Sequence, residues 1–178
     1  MSVAQEFQKM YENKHFVREK FDPAGFLQTD LTELGHDQAK MPLPFFVDYN
    51  NAWWFEIIDG VEVPELRFDP DTGEGYIQLE IRYDGDRMLH ASQTFTVVDD
   101  RIVRIRTTAP PDFFTSNRDS ELVDLDTYGN QIWLDPAYDF EKSVAAARRF
   151  LASPEAAKFH QNPKTQPSLQ RIQANLPS

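Results

Sequence analysis

The residues of this chain best suited to chemistry share one parity of its central runs. Glu80 and His90 sit at even positions of two segments whose odd positions are apolar, Ile77, Leu79, Ile81 and Tyr83 in one and Leu89, Ala91, Phe95 and Val97 in the other. A histidine beside a carboxylate on a neighbouring strand is a proton-transfer pair, because imidazole titrates near neutral pH and a carboxylate can orient it. Tyr76, Gln78, Arg82, Ser92, Thr94, Arg104 and Arg106 have the same parity. The arginines could hold a carboxylate or an enolate-like oxygen, the electrostatic half of an acid/base site. Glu80 and His90 are therefore the expected catalytic residues, with Tyr76, Arg82, Arg104 and Arg106 as substrate contacts. A one-sided antiparallel sheet also presents such a face to water, so the site exists only if the sheet curves and this face lines a cavity. Phe45, Phe46, Tyr49, Trp53 and Trp54 form an aromatic group that serves either as core or as a ligand box, from which Tyr49 and Trp54 are taken as further substrate contacts.

Other chemistries find no support. Asp69, Asp71 and Glu80 match three positions of a calcium loop, but Gly73 and Glu74 stand where a fifth-position ligand and a sixth-position glycine are required. The four histidines, His15, His36, His90 and His160, have neither an i, i+4 nor an H-x-H spacing, so no metal site is expected. Gly73-Glu74-Gly75 lacks the third glycine and the strand-to-helix setting of a dinucleotide loop, and no phosphate-binding loop, nucleophile elbow or kinase signature is present. No cofactor is expected.

These groups need a scaffold, and 178 residues with 40% apolar and 13% aromatic content suffice for one domain with a sizeable core. The absence of cysteine excludes disulfides and thiolate chemistry. No signal-like leader and no eighteen-residue apolar run are visible, so a cytoplasmic protein without a membrane contact is expected. The net charge of −11 is uneven: residues 141–178 carry six Lys/Arg against Glu141 and Glu155, a balance of +4, which leaves −15 on residues 1–140. An acidic body repels phosphate backbones, which argues against nucleic acid as a partner. The basic tail either neutralises the body of its own chain or docks on a second copy as a homodimer.

Val3, Phe7, Met10, Tyr11 and Phe16 have helical spacing over residues 3–20, and Asp22-Pro23 reads as the start of a second helix, with Phe26, Leu27, Leu31 and Leu34 on its buried side and Gly35 as its stop. Residues 41–51, with two prolines, read as extended. Residues 52–58 and 61–63 flank Asp59-Gly60 as a hairpin, Pro64 marks a bulge on an edge strand, and further strands run over 76–83, 88–98 and 101–109. Matching the faces across the turns requires a three-residue loop at Asp84, Gly85 and Asp86 with Gly85 left-handed, and by the same parity a three-residue loop from Val97 to Arg101 that sets Phe95 near Val103. Residues 121–129 read as a sixth strand. Asp135-Pro136 starts a helix, Ser153-Pro154 restarts it, and residues 161–178 form a C-terminal arm, either a docked helix through Leu169 and Ile172 or a frayed end, beyond a single domain of residues 1–160. The expected fold class is α+β: an antiparallel meander of five or six strands, curved into a cone or barrel, with N-terminal helices and a C-terminal helical arm.

The stretch LHASQTFTVVDDRIVRIRT, residues 89–107, resembles the late strands of the NTF2-like superfamily, particularly SnoaL-like polyketide cyclases and ketosteroid-isomerase relatives, in its strand, acidic turn and RIVRI strand. The resemblance covers about residues 88–109. It implies a cone-shaped pocket for a small apolar or aromatic ligand and cofactor-independent isomerase, cyclase or dehydratase (lyase) chemistry, or simple binding. Two departures stand out: no third helix separates the first strand from the long hairpins, and the helical tail is longer than that plan requires. A calycin-like carrier barrel and a non-catalytic assembly subunit are the alternatives.

Overall fold

The computed structural model describes residues 1–29, 41–134 and 138–177. Leu31, Leu34, Gly35 and His36, and the start signal Asp135-Pro136, lie outside the described residues. Helix α1, Val3–Glu12, is closed by a capping box in which the Ser2 hydroxyl accepts from Gln5 N and the Gln5 side chain accepts from Ser2 N. Its apolar stripe buries Phe7 and Tyr11. The helix ends before Phe16, which instead packs its ring 4.9–5.2 Å from those of Tyr11, Phe21, Phe46 and Phe55.

Six strands form one sheet in the order β2-β1-β6-β5-β4-β3, with β1 Phe21–Thr29, β2 Met41–Pro42, β3 Gly60–Asp69, β4 Glu74–Tyr83, β5 Arg87–Val98 and β6 Arg101–Thr108. The antiparallel meander is real but comprises four strands, β3 to β6. β1 joins it parallel to β6, so the curved sheet is mixed. Residues 21–29 are thus a strand and not the helix that Asp22-Pro23 announces. A register shift between Phe21 and Phe26 absorbs Pro23, and Gly25 lies so close to β6 that a Cβ there would stand 2.5 Å from the Val103 carbonyl oxygen. Pairing with β6 outweighs the local cap signal.

The β4–β5 register is the one expected from parity. Tyr83 pairs with Arg87 across Asp84, Gly85 and Asp86, Gly85 has φ +81°, and Glu80 pairs directly with His90. Pro64 sits at a register shift between Glu62 and Glu65 on the edge strand β3. The β5–β6 turn differs from expectation. It is a two-residue turn with Asp99 and Asp100 both at positive φ, and a register shift between Thr96 and Val97 restores the parity, so that Phe95 faces Ile105 and not Val103.

Two more segments change type. Residues 41–58 are neither extended nor a first strand beyond the two residues of β2; they form α2, Leu43–Tyr49, a π-helical turn, Asn50–Trp54, and α3, Phe55–Ile57. Pro42 and Pro44 lie at the cap and first turn, where no helical hydrogen bond is lost. Asp59-Gly60 consequently links a helix to β3. The missing third helix of the sequence resemblance is therefore present, in residues that read as strand. Residues 121–133 are helix α5, Glu121–Trp133, capped by the Ser120 hydroxyl, and not a sixth strand. A short α4, Phe113–Ser116, precedes it.

Gly129 brings α5 onto α2's π turn: a Cβ at this position would lie 2.2 Å from the fully buried Trp53 ring, whose indole N–H donates to the Leu125 carbonyl at 3.2 Å. Gly129→Ala is expected to destabilise the fold by about 1–3 kcal/mol through overpacking, against the gain of about 1 kcal/mol that alanine gives an unobstructed helix. Equal or higher melting temperature in the variant would overturn this account of the contact.

Helices α6, Phe140–Leu151, α7, Ala157–His160, and α8, Gln166–Asn175, complete the chain. Residues 166–175 are docked and bury Leu169 and Ile172. Three of the tail's six cations meet acidic residues of the same chain: Lys158 with Asp124 at 2.8 Å, Lys164 with Asp84 at 3.2 Å and Arg171 with Glu56 at 3.3 Å.

Candidate functional site

Between the inner face of the sheet and helices α2 and α5 lies a cavity of about 110 Å³. Its walls are apolar: Leu79 and Ile81 from β4, Leu89 and Ala91 from β5, Phe46 from α2, Trp54 from the π turn and Phe113 from α4. An enclosed apolar volume near 150 Å³ takes up benzene, so the scale is that of a single-ring or short aliphatic ligand.

Polar groups reach this cavity from two sides. On the helix side Asp126 of α5 is 1% exposed, and the Tyr49 hydroxyl donates to both of its carboxylate oxygens, at 2.8 and 2.9 Å. Asn130, one turn further along α5, donates to Asp126 Oδ2 at 3.3 Å and to the Asp126 carbonyl at 3.0 Å. Burial pushes the Asp126 carboxyl up to about 7, although the hydrogen bonds from Tyr49 and Asn130 hold it down in part. Burial and the adjacent carboxylate push the Tyr49 phenol well above its ordinary value, so it stays a donor. On the sheet side Gln93 of β5, 3% exposed, accepts from the Tyr11 hydroxyl at 2.7 Å, and its amide donates to Thr107 Oγ1 on β6 at 3.0 Å.

The residues expected to act divide between two faces. Glu80 and His90 are brought together as register partners, and Tyr76, Arg82, Arg104 and Arg106 share their face, but that face is the outer one. His90 and the three arginines are exposed, Arg67 lies over the Tyr76 ring at 4.4 Å, and none of these residues lines the cavity. The expectation that the polar face would curve around the cavity is corrected by strand alternation: once Leu79, Ile81, Leu89 and Ala91 point inward, residues 80 and 90 must point outward. Tyr49 and Trp54, in contrast, do line the cavity.

Asp126, Asn130, Gln93 and Thr107 were missed. Gln93 had a signal, being the polar residue in the odd-numbered apolar series from Leu89 to Val97. Asp126 and Asn130 stand at i, i+4, which places them on one helical face, but that spacing means nothing while the segment is taken for a strand.

No protein-family model matches the sequence, and no curated protein does either. Solved structures share the fold. A steroid delta-isomerase from Pseudomonas aeruginosa is similar at TM-score 0.52 and 13% identity over 85% of this chain and 93% of its own. A protein from Kribbella flavida is similar at TM-score 0.53 and 13% identity, with 66% of this chain and 91% of that one covered. A de novo designed protein with a curved β-sheet is similar at 0.50 and 15%, with 66% and 92% covered. At such identities the likeness is one of fold, and the fold is NTF2-like, as the resemblance at residues 89–107 implied. Among the described residues no helix is long and apolar enough to cross a membrane, and no group of three or more His, Asp or Glu could hold a metal ion.

Proposed function

We propose that this chain binds a small apolar ligand in the cavity and moves a proton along it without a cofactor, an isomerase-type reaction. The observation that carries the reading is Asp126, a buried carboxyl on the cavity wall held near neutrality. A carboxylate whose proton affinity matches the working pH can take a proton from a carbon acid and return it to another carbon of the same ligand. Tyr49 and Asn130 orient that carboxylate by hydrogen bonds, which leaves its remaining lone pairs for the ligand. The apolar walls keep water from competing for the proton. A steroid delta-isomerase among the structures sharing the fold supports the reaction class.

The test uses 3-cyclohexen-1-one, a one-ring β,γ-unsaturated ketone, and follows the ultraviolet absorbance of its conjugated isomer. Turnover is expected to rise with pH through about 7 as Asp126 ionises, and then to level off. Absence of turnover at every pH from about 5 to 9 would exclude proton transfer on simple ketones.

A further inference from the structure

Strand β5 outruns its neighbour. Its pairing with β6 begins only at Ser92, opposite Thr108, so residues 87–91 extend past the end of that strand. Pro110 and Pro111 follow β6 and have no N–H with which to prolong the ladder. The sheet is therefore closed at this place by side chains rather than by backbone pairing, and two hollows meet across them. Inside is the apolar cavity; outside is a recess of about 350 Å³ bounded by Met88 and His90 of β5 and by Pro110 and Asn117 of the chain leaving β6. Leu89 and Phe113 line both.

Leu89 is fixed by its strand, opposite Ile81. Phe113 is held differently. It opens the four-residue helix α4, and its ring, 5% exposed, makes edge contacts with one aromatic on each side: Trp54 of the cavity wall at 6.4 Å and Tyr83 of the recess at 5.7 Å, centroid to centroid. Asn117 keeps it there. Its amide donates to the Phe113 carbonyl at 2.8 Å, and its oxygen accepts from the Tyr83 hydroxyl at 2.8 Å and from Arg87 at 3.1 Å, which ties α4 to both ends of the β4–β5 turn. A ring clamped in this way is a wall, and its removal would join the two hollows.

We propose that Phe113 is the partition that sets ligand size, admitting a single six-membered ring and turning away fused two-ring compounds, for which the outer recess is the missing half of the site. The proposal deepens the reading of the cavity as a ligand site and rests on that alone, not on proton transfer by Asp126. The volumes carry the argument. About 110 Å³ is space for one ring, given that a dry cavity of about 150 Å³ holds benzene, and the further carbons of a fused second ring find no room beside it. Packed walls yield little, since overfilling forces side chains off their rotamers. Space of the needed size lies directly behind Phe113.

The experiment titrates the full chain with toluene and, separately, with naphthalene, both neutral and without hydrogen-bonding groups, so that affinity reads volume and not acid/base chemistry. The place of binding is read from methionine methyl ¹³C resonances, since Met41 lines the cavity and Met88 the recess. In the native chain toluene should bind saturably and shift Met41 but not Met88. Phe113→Ala should bind naphthalene at least about tenfold more tightly than the native chain does, with Met41 and Met88 shifting together. If Phe113→Ala fails to fold, Phe113→Leu, which shortens the side chain but keeps it apolar, should show a gain of about threefold or more with the same pair of shifts. Toluene binding without turnover of 3-cyclohexen-1-one would sink the proton-transfer reading and leave the partition standing. No saturable toluene binding, naphthalene bound as tightly by the native chain as by the variant, or naphthalene in the variant moving Met41 alone would each overturn the proposal.

Discussion

Asp126→Asn is expected to abolish proton transfer while making the protein more stable in alkali. The amide keeps the shape of the carboxyl and can still meet Tyr49 and Asn130, but it cannot accept a proton from carbon. A loss of about 10²–10⁴ in turnover of 3-cyclohexen-1-one follows from removing a general base. The stability effect has the opposite sign. Burial raises the Asp126 carboxyl from its ordinary 3.8 to about 7, so between those values the folded chain holds a proton that the unfolded chain has released. The stability contributed by this group is complete below the lower value and is lost as pH climbs through the upper one. Between pH 5 and 8.5 the loss amounts to roughly 3 kcal/mol. The asparagine variant carries no charge at this position and escapes it. Urea titrations at both pH values read the difference directly, since other titrating groups contribute alike to both proteins. Parallel stabilities of native and variant across that range would show that Asp126 is not held neutral by burial, and the acid/base reading would lose its base.

Ile172→Ala should cost about 2–5 kcal/mol, the range for emptying a fully buried aliphatic site, and lower the melting temperature by roughly 10 °C for a chain of this size. Ile172 is 0% exposed and Leu169 1% exposed on α8, which packs against α3, α6 and α7. Removing the chain from Pro163 onward takes both side chains away at once, together with the Lys164–Asp84 and Arg171–Glu56 pairs, whose exposed cations add little to the total. The truncated protein should therefore melt well below the full chain or fail to fold. A truncated chain with an unchanged melting temperature would make residues 161–178 an independent arm.

Where local rules and pairing agree, the chain alone was enough. The alternation of Ile77, Leu79 and Ile81 against Leu89 and Ala91 required Gly85 at a left-handed turn position and Glu80 beside His90, and β4–β5 has that register. Pro64, unable to donate to a ladder, marked the bulge of an edge strand. Parity along a strand is a strictly local property, and neighbouring strands joined by short turns inherit it.

Tertiary structure decided what parity leaves open, namely which face lies inside. The side that looked merely apolar curves around the cavity, and the side rich in His, Glu and Arg faces outward. Pairing in three dimensions also set the type of three segments. Residues 21–29 became a strand by lying parallel to β6, a contact between segments about eighty residues apart that no window of sequence contains. Residues 43–57 became helical while burying Leu43, Phe45, Phe46, Val47, Trp53, Trp54, Phe55 and Ile57, and a helix buried on most of its sides loses the amphipathic period that identifies helices. Residues 121–133 became α5, and only then did Asp126 and Asn130 fall on one face. The proton affinity of Asp126 has the same origin. An aspartate in a peptide titrates in the ordinary acidic range, and it is the closing of apolar walls around this one that brings it towards neutrality, against the opposing pull of the hydrogen bonds from Tyr49 and Asn130.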